Sequence, residues 1–175
     1  MVDLETTGTQ PEHANIIQIA AVRFNHHTGE VDPNVFNQCL MPLPTRFWDE
    51  DTRRFWSGHQ PVLERIYGRM RDPKTVLQEF SNWVRDGFYG DPVLWAKPVT
   101  FEFPFLQSYF RELEVLNPFH FRRTVDLRSF LRGLYFPHQA PDLDKEIEFE
   151  GDVHDALFDT FHQVKVVLAG IERAV

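Results

Sequence analysis

Two short segments near opposite ends of the chain carry side chains suited to metal-assisted chemistry. Asp3-Leu4-Glu5 places two carboxylates two residues apart. On a β-strand, residues i and i+2 point to the same face, so both acids project together. Neighbouring carboxylates repel, and burial raises that cost. A hard divalent cation removes the conflict by taking oxygen ligands from both. Thr6-Thr7-Gly8 then marks a strand end with small hydroxyl residues and a turn. The second segment is His154-Asp155-Ala156-Leu157-Phe158-Asp159, which opens an amphipathic stretch. In a helix Asp159 lies about a turn and a half beyond His154, so the imidazole leans over a site that Asp159 helps to form. Each segment also has a plain reading, as a solvated strand end and as helix-start residues.

The elements that must position these groups follow from periodicity. Asn15 to Phe24 and Val35 to Met41 read as strands of an antiparallel hairpin, separated by the turn signal His27-Thr28-Gly29. The spacing predicts helices over Asp49 to Trp56, Val62 to Met70 and Pro73 to Arg85. Val93 to Ala96 is a short buried strand, Pro104 to Leu113 a helix, Arg122 to Val125 a strand and Leu127 to Leu134 a helix. Residues 137–150 read as a loop, and Val153 to Ala174 as a long closing helix. Strands come first and later alternate with helices, which implies an α/β layered fold with a mixed sheet.

The chain has 175 residues, enough for one domain over 1–175 with a sizeable core. Its 17 phenylalanines, with Trp56 and Trp95, read chiefly as core. One cysteine, Cys39, excludes an intramolecular disulfide framework and a thiolate zinc cluster, and fits a reducing, cytoplasmic setting. No apolar run approaches the roughly 20 residues of a membrane span, and the first residues lack the features of a signal peptide. Net charge is −8, from 26 acidic and 18 basic residues, which argues against a generally basic coat for nucleic acid. An acidic protein still handles nucleic acid where a metal site screens the phosphates.

Taken together, the two segments resemble the first and third motifs of the DEDDh-type 3′→5′ exonucleases, the proofreading-exonuclease-like group with a ribonuclease H-like fold. Val2-Asp3-Leu4-Glu5-Thr6-Thr7-Gly8-Thr9 fits the first motif, and His154-Asp155-Ala156-Leu157-Phe158-Asp159 fits the third. Phe101-Glu102-Phe103-Pro104-Phe105-Leu106 sits where the family carries Phe-Asp-x-x-Phe-Leu. Leu94-Trp95-Ala96-Lys97 and Asp51-Thr52-Arg53-Arg54-Phe55-Trp56 are similar to segments of phage and prophage members. The resemblance spans nearly the whole chain. It departs from the family in carrying Glu102 for aspartate, which adds one methylene of reach.

The resemblance implies hydrolysis of phosphodiesters from 3′ ends, with release of nucleoside 5′-monophosphates and two divalent ions, Mg²⁺ or Mn²⁺. By that resemblance Asp3 bridges the ions, Glu5 and Asp159 hold one, Glu102 faces the other, and His154 takes the proton of the attacking water. Asp126 is the reserve for Glu102, or a partner of Arg128. Leu4, Thr6 and Thr7 contact the terminal nucleotide, and Phe101 or Phe105 packs on its base. Arg53, Arg54, Arg122, Arg123, Arg128 and Arg132 are candidate phosphate guides. The implied partner is single-stranded or 3′-overhang nucleic acid, DNA or RNA, with no membrane and with a homodimer left open. The alternative is an exonuclease fold with weakened catalysis, acting as a nucleic-acid-binding or scaffold module; Glu102 keeps it alive. Only two residues precede Asp3, fewer than a strand usually supplies, which leaves room for a longer natural chain. If Met1 is the start, its ammonium lies within roughly 7 Å of chain from Asp3 and competes with metal.

Overall fold

The computed structural model describes residues 1–87 and 91–174. In chain order the elements are β1 (Val2–Thr6), β2 (Ile16–Ala21), β3 (Phe36–Leu40), α1 (Glu50–Ser57), α2 (Gln60–Tyr67), β4 (Met70–Arg71), α3 (Pro73–Asp86), β5 (Leu94–Ala96), α4 (Val99–Glu112), β6 (Thr124–Asp126), α5 (Leu127–Tyr135), α6 (Leu143–Glu146) and α7 (Ala156–Ala174). β1 pairs antiparallel with β2, β2 antiparallel with β3, and β3 parallel with β4. β5 and β6 form a parallel pair, and β5 runs alongside β1. This is the mixed sheet that the sequence implies.

The β2 strand is buried along its whole length, as expected of a strand covered on both faces. Val76, Leu77 and Phe80 of α3 pack with Leu106, Tyr109 and Phe110 of α4 against Ile16, Ile19 and Leu40. A second cluster joins Val22 and Trp95 to Leu127 and Leu131 of α5, Leu143 of α6, and Val164 and Val167 of α7. Trp56, Val62, Leu63 and Ile66 of α1 and α2 close over Ile17 and Cys39. Trp56 and Trp95 are core residues, as expected.

The helix expected over Val62 to Met70 spans Gln60–Tyr67, and Met70 pairs in β4 instead; three further differences from the sequence reading matter for the site. α4 starts at Val99, five residues before Pro104, so Glu102 rides on its first turn. The cap that allows this comes from a distant residue: Asp126 Oδ2 accepts from Val99 N at 3.2 Å, while Asp126 Oδ1 caps α5 through Ser129 N at 2.8 Å. Asp126 is therefore engaged at two helix starts. α7 starts at Ala156, leaving His154 in the preceding loop with φ +65°. Within 137–150, residues Leu143–Glu146 form α6, anchored by buried Leu143.

Candidate active site

Asp3 and Glu5 share one face of β1, opposite Ala20 and Gln18 of β2, and the register shifts after Glu5 so that Thr6 pairs with Ile16. Gln18 then reaches across to the start of α7. Its Nε2 donates to Asp155 Oδ1 at 3.0 Å, and its Oε1 accepts from Ala156 N at 3.3 Å. With α7 so fixed, ligand oxygens of Asp3, Glu5 and Asp159 all fall within 4.8 Å of one another. Gln163, one turn beyond Asp159, donates to Asp3 Oδ1 at 2.7 Å.

The cluster is electrostatically strained. Burial, then the charge of Asp159, pushes the Asp3 carboxyl up to about 8, against relief from Gln163 and Lys97. Burial and four neighbouring acids hold Glu5 well above the usual carboxylate range. Burial lifts Asp159 to about 6. Glu102 is almost fully enclosed, and its Oε2 has no hydrogen-bond partner; burial, then Asp3, pushes it up to about 9. Glu102 stands outside the group of three whose oxygens converge, but close enough for its charge to act on Glu5. A set of buried oxygen donors with an orphaned carboxylate oxygen fits hard divalent cations, which would relieve each of these penalties.

His154 is tied to the cluster through its backbone, its N donating to Asp159 Oδ2 at 2.9 Å. Its ring meets Phe55 edge-on, with centroids 4.7 Å apart, and lies 4.5 Å from the ring of His59. Burial, then His59, lowers its pKa, favouring the neutral imidazole. The loop is held by Arg65 of α2, 2.8 Å from Asp152 and 3.7 Å from Asp155. Gly151 turns it at φ +103°, where a Cβ would fall 2.3 Å from the Phe158 ring, so only glycine fits.

A cleft of about 460 Å³ adjoins the acids, lined by Leu4, Glu5, Thr6, Asp49, Phe55 and Phe101 among others. Of the expected nucleotide contacts, Leu4, Thr6 and Phe101 line this cleft. Two expected contacts do not. Phe105 is fully enclosed beneath Phe101, with ring centroids 4.8 Å apart, and has no face to offer a base. Thr7 is also enclosed, its hydroxyl donating to Phe47 O at 2.8 Å and accepting from Asn15 N at 2.7 Å. None of the six candidate arginines lines this cleft; Arg54 pairs with Asp51, and Arg123 with Asp91. The Met1 amine donates to Val22 O at 2.8 Å along the ladder instead of facing Asp3. A larger cavity of about 560 Å³, walled by Phe24, Trp83, Trp95 and Phe130, contains none of the clustered acids.

The sequence reading missed Gln18, Gln163, Lys97, His59 and Arg65. Gln163 carried a signal, since i+4 from Asp159 is the same helix face. The others meet the site only through tertiary folding.

The sequence model of the 3′-5′ exoribonuclease Rv2179c-like domain matches residues 1–171. The chain belongs to this family. The motif reading agrees with this assignment. No curated protein matches it in sequence. Among solved structures it is similar to the nuclease domain of 3′hExo, a DEDDh family member bound to rAMP, with a TM-score of 0.73 at 18% identity over 98% of this chain and 90% of that one. Cell-death related nuclease 4 gives a TM-score of 0.74 at 16% identity, with 98% of this chain and 62% of that chain covered. Exonuclease I of E. coli, in complex with an oligonucleotide, gives 0.69 at 13% identity, covering 98% and 39%. The chain thus spans under two-thirds of the cell-death nuclease and of exonuclease I. At these identities the likeness shows the fold, a ribonuclease H-like α/β architecture. The expected closeness to phage members finds no support here.

Proposed function

We propose that residues 1–175 act as one divalent-metal-dependent exoribonuclease domain that removes nucleoside 5′-monophosphates from the 3′ ends of single-stranded RNA. The observation that carries this is the convergence of Asp3, Glu5 and Asp159 beside an open cleft. The family description supports RNA, and so does the rAMP bound in 3′hExo. A free, buried Cys39 fits a reducing, cytoplasmic compartment, and no helix among the described residues is long and apolar enough to cross a membrane.

Asp3, Glu5 and Asp159 would hold the metal ions, with Glu102 serving a second one. When bound, Mg²⁺ or Mn²⁺ supplies charge neutralisation and Lewis acidity for phosphodiester hydrolysis. His154, kept neutral by its surroundings, accepts the proton of the attacking water. Phe101 packs beside the terminal base, and Leu4 and Thr6 form the cleft floor. Digestion of matched RNA and DNA oligonucleotides labelled at the 5′ end tests the reading. A descending ladder on RNA that EDTA abolishes is expected; intact oligonucleotide under every metal contradicts it.

The position of Glu102 favours a second reading, a fold with weakened catalysis that binds nucleic acid. The two separate on one comparison. If Glu102 serves a metal, Glu102→Ala lowers kcat by about 100-fold or more, and Glu102→Asp, one methylene shorter, lies between it and wild type. An alanine variant with the wild-type rate removes Glu102 from the machinery.

A further inference from the structure

The strand alongside β1 is followed by a lysine whose charge acts on the clustered acids. Lys97 follows β5 directly, and β5 runs alongside β1. Its Nζ lies 2.6 Å from Asp144 Oδ1, and the lysine side chain is only 20% exposed. Asp144 belongs to α6, which the buried Leu143 fastens beside Gly170 of α7. The same Asp144 oxygen is 3.8 Å from His162 Nε2, and the next residue, Gln163, donates to Asp3. This run of contacts links the ammonium, through α6 and α7, to the carboxylate cluster, and its charge acts on Asp3 and Asp159. Its hydrogen bond nonetheless goes to Asp144 and to none of the clustered acids.

The cleft sharpens the meaning of that placement. Its lining includes three carboxylates, Glu5, Asp49 and Asp51, and no basic side chain. A phosphodiester drawn from it toward the cluster therefore needs a cation from another wall. A lysine ammonium, with rotatable donors on a flexible stem, suits a phosphate oxygen as a point charge. We propose that Lys97 is the phosphate-contacting cation of this site, held by Asp144 until a non-bridging oxygen of the substrate takes its place. This rests on the exonuclease reading above and adds a substrate contact from β5. Asp144 acts as a positioning residue that keeps the ammonium oriented and competes with substrate for it.

Binding separates this proposal from the parent reading. The probes are a fluorescent oligoribonucleotide, followed by anisotropy with Ca²⁺ present, and Mn²⁺ alone, followed by calorimetry on substrate-free protein. Lys97→Met should weaken oligonucleotide binding about tenfold or more while binding Mn²⁺ at least as tightly as wild type, because one repelling charge is gone. Lys97→Arg should restore most of the oligonucleotide affinity. Asp144→Asn should strengthen it severalfold by freeing the ammonium. Wild-type oligonucleotide affinity in Lys97→Met overturns the proposal alone, and so does loss of Mn²⁺ and oligonucleotide binding together in both Lys97 variants. Wild-type protein that neither binds nor shortens the oligonucleotide overturns the exonuclease reading along with it.

Discussion

Asp3→Asn is expected to lower the cleavage rate by about 1,000-fold or more and yet to stabilise the metal-free protein. The rate loss follows because Asp3 is one of the three carboxylates whose oxygens converge, and charge stabilisation by a bound metal is worth several kcal/mol. The stability gain follows from burial. The folded protein holds Asp3 at about 8 and Asp159 at about 6, against an ordinary 3.8. Well below pH 3.8 both acids are protonated in the folded and the unfolded chain, and they cost nothing. As pH rises, the unfolded chain ionises first, and the fold loses stability until pH passes the folded values. Asparagine removes one of the charges and keeps an acceptor for Gln163. In EDTA the two proteins should therefore melt together at about pH 2.5, and the variant should melt higher by about 5 °C or more at pH 8. Thermal unfolding across that range checks the sign. A variant that melts lower at every pH means that Asp3 is a structural carboxylate.

His154→Ala is expected to lower kcat by about 100- to 10,000-fold, the usual worth of a positioned base. Its binding of oligonucleotide should change far less, because the ring packs on Phe55 and His59 and the loop is held by Arg65. Burial and His59 lower the pKa of His154, so wild-type activity should persist to a pH below the ordinary imidazole value of about 6.5 and then fall. The alanine variant should lose that acid limb and show a flatter profile. Single-turnover rates between pH 5 and 8 decide it. Equal acid limbs in both proteins mean that another group takes the proton.

How far these expectations were legible in the sequence depended on where each contact comes from. Asp3 and Glu5 share a face because a strand alternates, and Asp159 and Gln163 share a face because a helix repeats; both are local rules, and both motifs could be seen. The start of α4 was not legible, because its cap is Asp126, 27 residues away in β6. His154 was misread as helical because only the fold shows Gly151 turning the loop, with Asp155 and Gln18 setting the helix start at Ala156. Phe105 and Thr7 looked like substrate contacts by position in a motif. Their burial, decided by α4 and by the Phe47 carbonyl, turns them into supports for Phe101 and for the turn after β1. Lys97 closed a segment that resembles the family, but no pattern in the sequence assigned it a role. It matters only because β5 lands beside β1 and α6 brings Asp144 to it.

The most direct trial is an anomalous-difference map from crystals soaked in Mn²⁺. Peaks within bonding distance of Asp3, Glu5 and Asp159, about 2.1–2.3 Å as for other hard cations on oxygen ligands, are the expected result, and they should vanish in Asp3→Asn. A map without density among these three carboxylates, or with manganese bound only elsewhere on the surface, contradicts the account.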